Sequence, residues 1–240
     1  MILDFFKRGR LKAQSIHALC QPTRFFRLVQ QQPMLVPYSK DKIRVSGKSK
    51  GLSAASYDVS IDHDLVLGPH PGHILKRAML AKYDFDCAHR RTVDLRRTED
   101  EIKQIYREAS DQYKAYEAAM EELRNAPPNY SLAYTVEDFY MPHRVTADVA
   151  DKSTYARLFV SAYNTFIDPG FVGNLQLEIV NDSAEYVEVK AGDPICQIIF
   201  SWTDGKTNRP YDGKYQFQHR GIVTARLENE DGSGYTEKHV

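Results

Sequence analysis

Cysteine, tryptophan, net charge and long apolar runs are all scarce in this sequence. The three cysteines, Cys20, Cys87 and Cys196, lie far apart and lack the Cys-x-x-Cys spacing of zinc and redox sites. Without a disulfide framework, a reducing compartment is the simplest setting, so we expect a cytoplasmic protein. No run of about 18 apolar residues occurs, and charge interrupts the first apolar residues too early for a signal-peptide core. We therefore expect no membrane association.

Charge is balanced overall but unevenly distributed. Lys and Arg number 32, as do Asp and Glu, so the formal net charge is zero and nothing steers the chain towards nucleic acid. The first 50 residues carry eleven Lys and Arg against Asp4 and Asp41, which is +9 and leaves −9 for the rest. This asymmetry indicates a phosphate-binding arm or, as the more common case, a basic segment that packs on acidic neighbours or another subunit. We place this basic N-terminal arm at residues 1–52.

The second half of the sequence has the pattern of a β protein. From Tyr130 onward, short apolar or alternating runs are separated by turn residues. Leu175, Leu177 and Ile179 alternate with polar neighbours, and the apolar run from Ile195 to Phe200 follows a Gly-Asp-Pro turn. Close spacing of short strands favours a small antiparallel barrel or jelly roll. We assign residues 53–227 to this β domain and residues 228–240 to a flexible tail.

One segment breaks the β pattern. Residues 98–125 are predicted as a helix, because Thr98-Glu99-Asp100-Glu101 fits a capping box and Pro127-Pro128 follows. Its large and small apolar residues recur every four and three positions, which is a heptad seam and predicts either packing on the barrel or a subunit contact. The seam consists of Ile102, Tyr106, Ala109, Tyr113, Tyr116, Met120 and Leu123. We place the helical insertion at about 68–129, with residues 70–73 as a loop.

Two carboxylates near one turn suggest acid–base chemistry. Asp168 lies in the Asp168-Pro169-Gly170 turn and Glu178 in the strand that follows, where one of them could activate a water molecule. Acidic residues flank turns in most proteins, so this pair by itself favours a structural role.

Several motifs in order give the pair more weight. Tyr130–Glu137 followed by Met141-Pro142, Ser153-Thr154-Tyr155-Ala156-Arg157, and Ile167–Gly173 with Leu177–Asn181 resemble motifs of the dCTP deaminase family. Gly192 with Ile195–Phe200 and Pro210–Gln218 are similar to its later elements. The resemblance covers most of residues 130–221. It implies a mainly β fold, a distorted jelly-roll barrel of the β-clip, dUTPase-like type with the long helix inserted, that assembles as a homotrimer with active sites at subunit interfaces.

The resemblance also implies residue roles. Glu178 would be the catalytic base that takes a proton from the water attacking C4 of cytosine and returns protons to the departing ammonia. A carboxyl group with both tasks needs a pKa nearer neutrality, which partial burial provides. The implied nucleotide-binding residues are Ser153, Arg157, Asn164, Phe166, Ile167, Asp168, Gln197, Tyr211, Lys214 and Gln218. Of these, Asp168 and the Ile167 backbone would face the deoxyribose.

The family needs no metal to activate the water. The His-x-Glu and Pro-Cys-x-x-Cys signature of zinc deaminases is absent from the sequence, so we expect no zinc. We expect Mg²⁺ to enter with the triphosphate and to neutralise its charge.

The base-binding side departs from the family pattern. Where the family places a Thr-Ala pair before its Ile-Asp-Pro-Gly turn, this sequence has Tyr163-Asn164. The prediction is therefore deamination of dCTP or of a C5-modified dCTP to the corresponding deoxyuridine triphosphate. A dUTP pyrophosphatase, alone or coupled to deamination, and a catalytically silent nucleotide-binding trimer remain alternatives. Glu178 favours deamination, because a pure dUTPase does not require a carboxylate there.

Overall fold

The computed structural model describes residues 9–21, 32–45, 47–91, 98–163, 165–229 and 234–238. The helices are α1 (Ala13–Cys20), α2 (Pro71–Arg91), α3 (Glu99–Asn125) and α4 (Ser153–Ala156). The strands are β1 (Gly9–Arg10), β2 (Leu35–Val36), β3 (Ile43–Val45), β4 (Lys48–Leu52), β5 (Tyr57–Ser60), β6 (Leu65–Leu67), β7 (Tyr130–Tyr140), β8 (Val145–Asp151), β9 (Val160–Ala162), β10 (Phe166–Ile167), β11 (Val172–Asn181), β12 (Val187–Val189), β13 (Pro194–Trp202), β14 (Ala225–Glu228) and β15 (Tyr235–Lys238).

The chain divides into two compact units. The first, the β unit, comprises Met1–Leu65, Ser131–Val180 and Glu188–Val240. The second, the helical unit, comprises Val66–Tyr130 together with Asn181–Val187. The expected insertion at about 68–129 therefore corresponds to most of the helical unit. This unit also includes the short segment Asn181–Val187, which connects β11 to β12.

Two sheets form the frame of the β unit. The larger has the order β10-β8-β13-β5-β4-β3, with β1 also paired to β13, and the smaller has the order β2-β7-β11-β9. Antiparallel pairing joins β8 to β13, β13 to β5 and β2 to β7. Alternate side chains of these strands build the core, because successive residues of a strand face opposite sides; Val59, Phe139, Leu177, Ile198 and Phe200 are fully buried. The predicted mainly β fold with antiparallel sheets and an inserted long helix is confirmed.

The N-terminal region differs from the expected arm at 1–52. Its strands β1, β2, β3 and β4 pair within the sheets of the β unit, β1 with β13 and β2 with β7. Between them, α1 buries Ile16, Leu19 and Cys20. Strand pairing satisfies the backbone N–H and C=O groups of these residues, so the described part of this region belongs to the β unit.

The C-terminal end differs from the expected tail at 228–240. Strands β14 and β15 pair antiparallel, with Arg226 opposite Glu237 and Leu227 opposite Thr236. The backbone N–H of Asn229 donates to the Gly234 carbonyl at 2.9 Å. The described residues of this region thus form a hairpin.

Helix α3 begins and ends as predicted. The Thr98 hydroxyl accepts from the Glu101 N–H while the Glu101 carboxylate accepts from the Thr98 N–H, which completes the capping box. The predicted heptad seam is only partly buried, since Tyr106 and Tyr113 are 57% and 44% exposed. The reason is a second helix: Ala119 of α3 packs with Ile74 and Ala78 of α2, and only the last turns of the seam, at Tyr116, Met120 and Leu123, pack against this cluster.

Helix α2 was not predicted. Residues 70–73 were predicted as a loop, but α2 begins at Pro71. A proline is tolerated in the first turn of a helix, because the backbone N–H groups there have no intrahelical acceptor and the one that proline lacks is not missed. The imidazole Nδ1 of His70 accepts from the Gly72 N–H at 3.1 Å. Within the described residues, neither α2 nor any other helix combines the length and apolar character needed to cross a membrane.

The segment Tyr211–Gln218, named here the C-terminal segment, folds back on the start of β11. The Phe217 N–H donates to the Val172 carbonyl at 2.8 Å, and the Asn174 N–H donates to the Gln218 carbonyl at 3.1 Å. Gly173 lies between them with φ +138°, and a Cβ there would stand 2.6 Å from the Gln218 carbonyl oxygen. A glycine is therefore required for this close approach of two backbones.

The first prediction concerns the capping box of α3. Thr98→Ala removes the hydroxyl that accepts from the Glu101 N–H, and we expect it to lower the free energy of unfolding by about 1 kcal/mol. Urea denaturation followed by circular dichroism measures this. Ser110→Ala, at an exposed position in the middle of α3, is the control and should be neutral or slightly stabilising, because alanine is the best helix former. Equal effects of the two substitutions would contradict the assignment.

The second prediction concerns Gly173. Gly173→Ala places a methyl group against the Gln218 backbone, so we expect the C-terminal segment to detach and the amides of Asn174 and Phe217 to exchange hydrogen faster. Gly192→Ala is the matched control, because Gly192 also has a positive φ, +83°, but a Cβ there meets nothing within 4 Å. Hydrogen exchange read by mass spectrometry or NMR compares them. Unchanged exchange in Gly173→Ala would show that the contact is not needed.

Candidate active site

The predicted phosphate-binding residues Ser153 and Arg157 lie on one helical turn, residues 153–157, named here the phosphate turn. It follows directly after β8 and contains α4. Both side chains are exposed, and the Arg157 Nη1 donates to the Ser153 carbonyl at 2.9 Å. The guanidinium keeps further donors for an anion, since it carries five N–H groups in a fixed fork.

Gln197 lies beside the start of the phosphate turn. On β13 it faces Ala150 of β8, and its side-chain Nε2 donates to the Asp151 carbonyl at 3.1 Å. Its Oε1 accepts from the Ser56 hydroxyl at 3.0 Å. Gln197 thus links β5, β13 and the end of β8, and both of its polar atoms have a partner in the chain.

Glu178 occupies the middle of β11 and is half-buried. Its carbonyl accepts from the Tyr163 N–H at 2.9 Å, which places the residue after β9 beside it. Burial raises the pKa of the Glu178 carboxyl above its ordinary value, and a backbone hydrogen bond opposes this shift only in part. Among the described residues, no side chain forms a hydrogen bond or ion pair with this carboxylate, so it is free to bind and move a proton.

The turn at Asp168–Gly170 is held by the C-terminal segment. The Tyr211 N–H donates to the Pro169 carbonyl at 2.8 Å, and the Tyr211 ring packs edge-on against Phe171. Gln216 completes the contact: its Nε2 donates to the Gly170 carbonyl at 3.0 Å, while its Oε1 accepts from the Val172 N–H at 2.9 Å. Sequence reasoning included Gln216 in a motif but gave it no role.

Asp168 and Tyr211 lie close enough to influence each other. Burial raises the pKa of the Tyr211 hydroxyl, and the nearby Asp168 carboxylate raises it further. Tyr211 therefore stays protonated at neutral pH and can donate to an anion. Asp168 itself is exposed.

Lys214 and Gln218 belong to the same segment. The Lys214 ammonium lies 5.5 Å from the centre of the Tyr215 ring, and the Lys214 carbonyl accepts from Arg226 Nη1 at 2.8 Å. The Gln218 Nε2 donates to the Asn174 carbonyl at 2.6 Å. The C-terminal segment therefore places Tyr211 beside the Asp168 turn and Gln218 beside the start of β11, while the recorded contacts of Lys214 are with Tyr215 and Arg226.

The remaining predicted residues lie in β10 or just before it. Ile167 is buried and its carbonyl accepts from the Thr146 hydroxyl at 2.9 Å. Phe166 is 57% exposed, and Tyr163, at the position that departs from the family pattern, is 59% exposed. Asn164 lies outside the described residues.

Three fully buried carboxylates were missed by sequence reasoning. Asp58, Glu137 and Asp193 each pair with at least one lysine. The ion pairs are Lys152–Asp58 at 2.8 Å, Lys42–Asp58 at 3.8 Å, Lys48–Asp193 at 2.5 Å and Lys50–Glu137 at 3.7 Å. Burial raises the pKa of Glu137, which the Ser60 N–H and Lys50 partly offset. The surplus of lysine before residue 52 was the available signal, and packing on acidic neighbours was the interpretation that it favoured.

No group of three or more His, Cys, Asp and Glu side chains in the described ranges could hold a metal ion. The expectation of chemistry without zinc stays a prediction.

The chain is similar to solved structures of two related kinds. It resembles the dCTP deaminase of Agrobacterium tumefaciens with a TM-score of 0.41 and 16% identity, over 82% of this chain and 49% of that one. It resembles the EIAV dUTPase with a TM-score of 0.37 and 12% identity, over 72% of this chain and 91% of that one.

Sequence comparison gives closer relatives. The dCTP deaminase of Campylobacter fetus is 40% identical over 105 residues, which are 42% of this chain and 56% of that protein. The dUMP-forming dCTP deaminase of Methanoculleus marisnigri is 38% identical over 110 residues, which are 43% of this chain and 58% of that protein. The chain thus matches less than two thirds of the length of these relatives. A family model described as dCTP deaminase-like matches residues 75–203, more than half of the chain, and the chain therefore belongs to the dCTP deaminase-like family.

Proposed function

We propose that this protein deaminates dCTP, or a C5-modified dCTP, by hydrolysis: water and the nucleotide give ammonia and the corresponding deoxyuridine triphosphate. One observation carries the proposal. Glu178 is a half-buried carboxylate with a raised pKa and, among the described residues, no side-chain partner, in the strand that follows the Asp168 turn. A carboxylate in this state is suited to accept a proton from water and to deliver it to a leaving group.

Glu178 acts as base and then as acid. The ionised carboxylate takes a proton from the water that attacks C4 of the pyrimidine, and the tetrahedral carbon that results carries both oxygen and the amino group. The same carboxyl group then protonates the amino nitrogen, which leaves as ammonia. Burial supports both steps, because a carboxyl group whose pKa lies nearer to neutrality exchanges protons more readily at physiological pH.

The other predicted residues hold the nucleotide. Arg157 offers a planar fork of donors, Lys214 a point charge, and Ser153 and Tyr211 hydroxyl groups for the phosphate oxygens. Gln197 and Gln218 complete the predicted phosphate set. Asn164, Phe166, Ile167 and Asp168 form the sugar and base side.

A second copy of the chain completes the site. As the resemblance to the dCTP deaminase family implies, the site lies where two copies of a homotrimer meet, with the phosphate turn from one copy and Glu178 with the residues around the start of β11 from its neighbour. Each site binds a deoxynucleoside triphosphate, not nucleic acid or a membrane. We expect the reaction to take place in the cytoplasm.

Mg²⁺ enters as part of the substrate. It prefers phosphate oxygens with water as further ligands and needs no dedicated cage of side chains. Among the described residues, the proposed site offers cationic and hydroxyl side chains to the phosphates, and no cluster of His, Cys, Asp and Glu competes for the ion. The proposed deamination uses Glu178, without zinc, to activate water.

A second candidate is coupled deamination and diphosphate release, which gives dUMP, diphosphate and ammonia from one dCTP and two waters. The relative from Methanoculleus marisnigri, 38% identical, is named a dUMP-forming dCTP deaminase. Asp168, which is exposed at its turn, would orient the second water at the α-phosphate.

The third prediction separates these products. The purified protein is incubated with Mg²⁺ and dCTP, 5-methyl-dCTP or dUTP, and the products are resolved by ion-exchange chromatography with an ammonia assay. We expect ammonia and a retained triphosphate from dCTP or its 5-methyl analogue. Diphosphate with dUMP supports the coupled reaction instead, and absence of turnover with every pyrimidine triphosphate would reject the proposed enzyme.

The fourth prediction concerns the charge of Glu178. The base must be ionised, so kcat/KM falls as pH drops through the raised pKa, with a midpoint above the ordinary value of about 4.3 for a glutamate. Glu178→Gln is expected to lower kcat by about 10²- to 10⁴-fold, which is the usual contribution of a general base. Steady-state kinetics from pH 4 to 9 measure both effects.

The stability of Glu178→Gln provides an internal check. A raised folded pKa means that Glu178 contributes stability at low pH and loses it as pH rises through that pKa. At pH 8 the neutral glutamine therefore costs no stability. Glu121→Gln, at an exposed position of α3, is the control and should keep full activity. Undiminished turnover by Glu178→Gln would remove the proposed base.

A further inference from the structure

The phosphate turn has one side chain that points inward. Tyr155, in the middle of the turn, is 2% exposed, whereas Ser153 and Arg157 are exposed. A single helical turn is not stable by itself in water, because its nucleation costs more than its few hydrogen bonds return. The contacts that hold the Tyr155 side chain therefore also determine the direction in which Ser153 and Arg157 point.

Tyr155 is held by a buried carboxylate and a lysine paired with it. Its hydroxyl donates to Asp193 Oδ2 at 3.1 Å, and the Lys48 ammonium lies 2.5 Å from the same oxygen. The Lys48 ammonium also lies 5.0 Å from the centre of the Tyr155 ring, within the range of a cation–π contact. These three residues are named here the Lys48–Asp193–Tyr155 cluster.

Asp193 is itself fixed to the barrel. It is 1% exposed, its carbonyl accepts from the Ile61 N–H at 3.3 Å, and its N–H donates to the Lys190 carbonyl at 2.9 Å. A buried carboxylate needs a compensating charge, which Lys48 provides, and it holds a hydroxyl donor more strongly than a neutral acceptor does. Burial raises the pKa of Tyr155, so its hydroxyl remains a donor at neutral pH.

The residue just before the phosphate turn provides a second anchor. Lys152, which precedes Ser153, pairs with the buried Asp58 at 2.8 Å. Tyr155 and Lys152 are buried, whereas the Ser153 and Arg157 side chains are exposed. The turn is therefore tied to the sheet at its start and at its middle.

We infer that Lys48, Asp193 and Tyr155 are positioning residues for the triphosphate: they contact no substrate but orient the phosphate turn so that Ser153 and Arg157 meet the phosphate oxygens together. The inference rests on the proposed function, because it assigns the turn to a triphosphate. Bidentate contacts from arginine depend on orientation, so a loosened turn weakens phosphate binding more than it slows the chemistry at the pyrimidine.

The test uses Tyr155→Phe, which removes only the hydroxyl, and Lys48→Met, which removes the charge at a partly exposed position. The probe is inorganic tripolyphosphate with Mg²⁺ in calorimetry, beside KM and kcat for dCTP. We expect each variant to raise Kd and KM by about tenfold, the usual scale for losing one hydrogen bond to a charged group, with kcat within about twofold. Lys48→Arg, which keeps the charge, should restore most of the affinity.

Controls separate positioning from loss of stability. Tyr57→Phe is the matched control, because Tyr57 is equally buried but its hydroxyl accepts from the Ser39 N–H at 2.9 Å, and Ser39 belongs neither to the phosphate turn nor to the cluster. It should lower the melting temperature without changing Kd. An equal rise of Kd in Tyr57→Phe would overturn the inference.

Arg157→Ala tells the two possible failures apart. If Arg157→Ala weakens tripolyphosphate binding while Tyr155→Phe and Lys48→Met do not, the positioning role is wrong and the proposed function stands. If the wild-type protein binds neither tripolyphosphate nor dCTP, the proposed function fails and the inference fails with it.

Discussion

The neutralisation of three carboxylates inside the β unit is the constraint on which the rest of the structure depends. Moving a charged group out of water costs several kcal/mol per ion, and an unpaired one would cost about 3 to 5 kcal/mol of stability. The basic segment near the N terminus meets this need, because Lys42, Lys48 and Lys50 pair with Asp58, Asp193 and Glu137. Three of the basic residues behind the charge asymmetry are thus paired inside the β unit, where Lys48 and Lys50 tie β4 to Asp193 and Glu137, and Asp193 in turn holds Tyr155 of the phosphate turn.

Sequence patterns predicted the elements that carry their own local signals. Helix α3 was placed from Thr98 to Asn125 because a capping box and a pair of prolines mark its ends, and β11 and β13 were visible as apolar strands. Helix α2 was missed because Pro71 and Gly72 resemble a turn, although a proline is acceptable in a first helical turn. Strands as short as β1 and β2 have no periodicity to detect; tertiary pairing creates them.

The candidate site was predictable as residue types but not as contacts. The pair of carboxylates near one turn drew attention to Glu178, and the resemblance to the dCTP deaminase family singled out Ser153, Arg157 and Tyr211 and implied a role for each. Neither the sequence pattern nor the resemblance indicated that both side-chain polar atoms of Gln197 would form hydrogen bonds within the chain. They also did not indicate that the Gln216 side chain would form a hydrogen bond to the Asp168–Gly170 turn. Such contacts join residues far apart in sequence, and only the folded chain brings them together.

The central proposal is that Arg157 of one copy and Glu178 of another serve the same site of a trimer. It is tested most directly by mixing equal amounts of Arg157→Ala and Glu178→Gln proteins, unfolding and refolding them together, and measuring deamination of dCTP. In randomly mixed trimers, about one quarter of the interfaces combine an intact Arg157 with an intact Glu178, so the account predicts recovery of about one quarter of wild-type activity. If both residues of a site came from one chain, every site would carry one substitution, and the absence of any recovery would contradict the account.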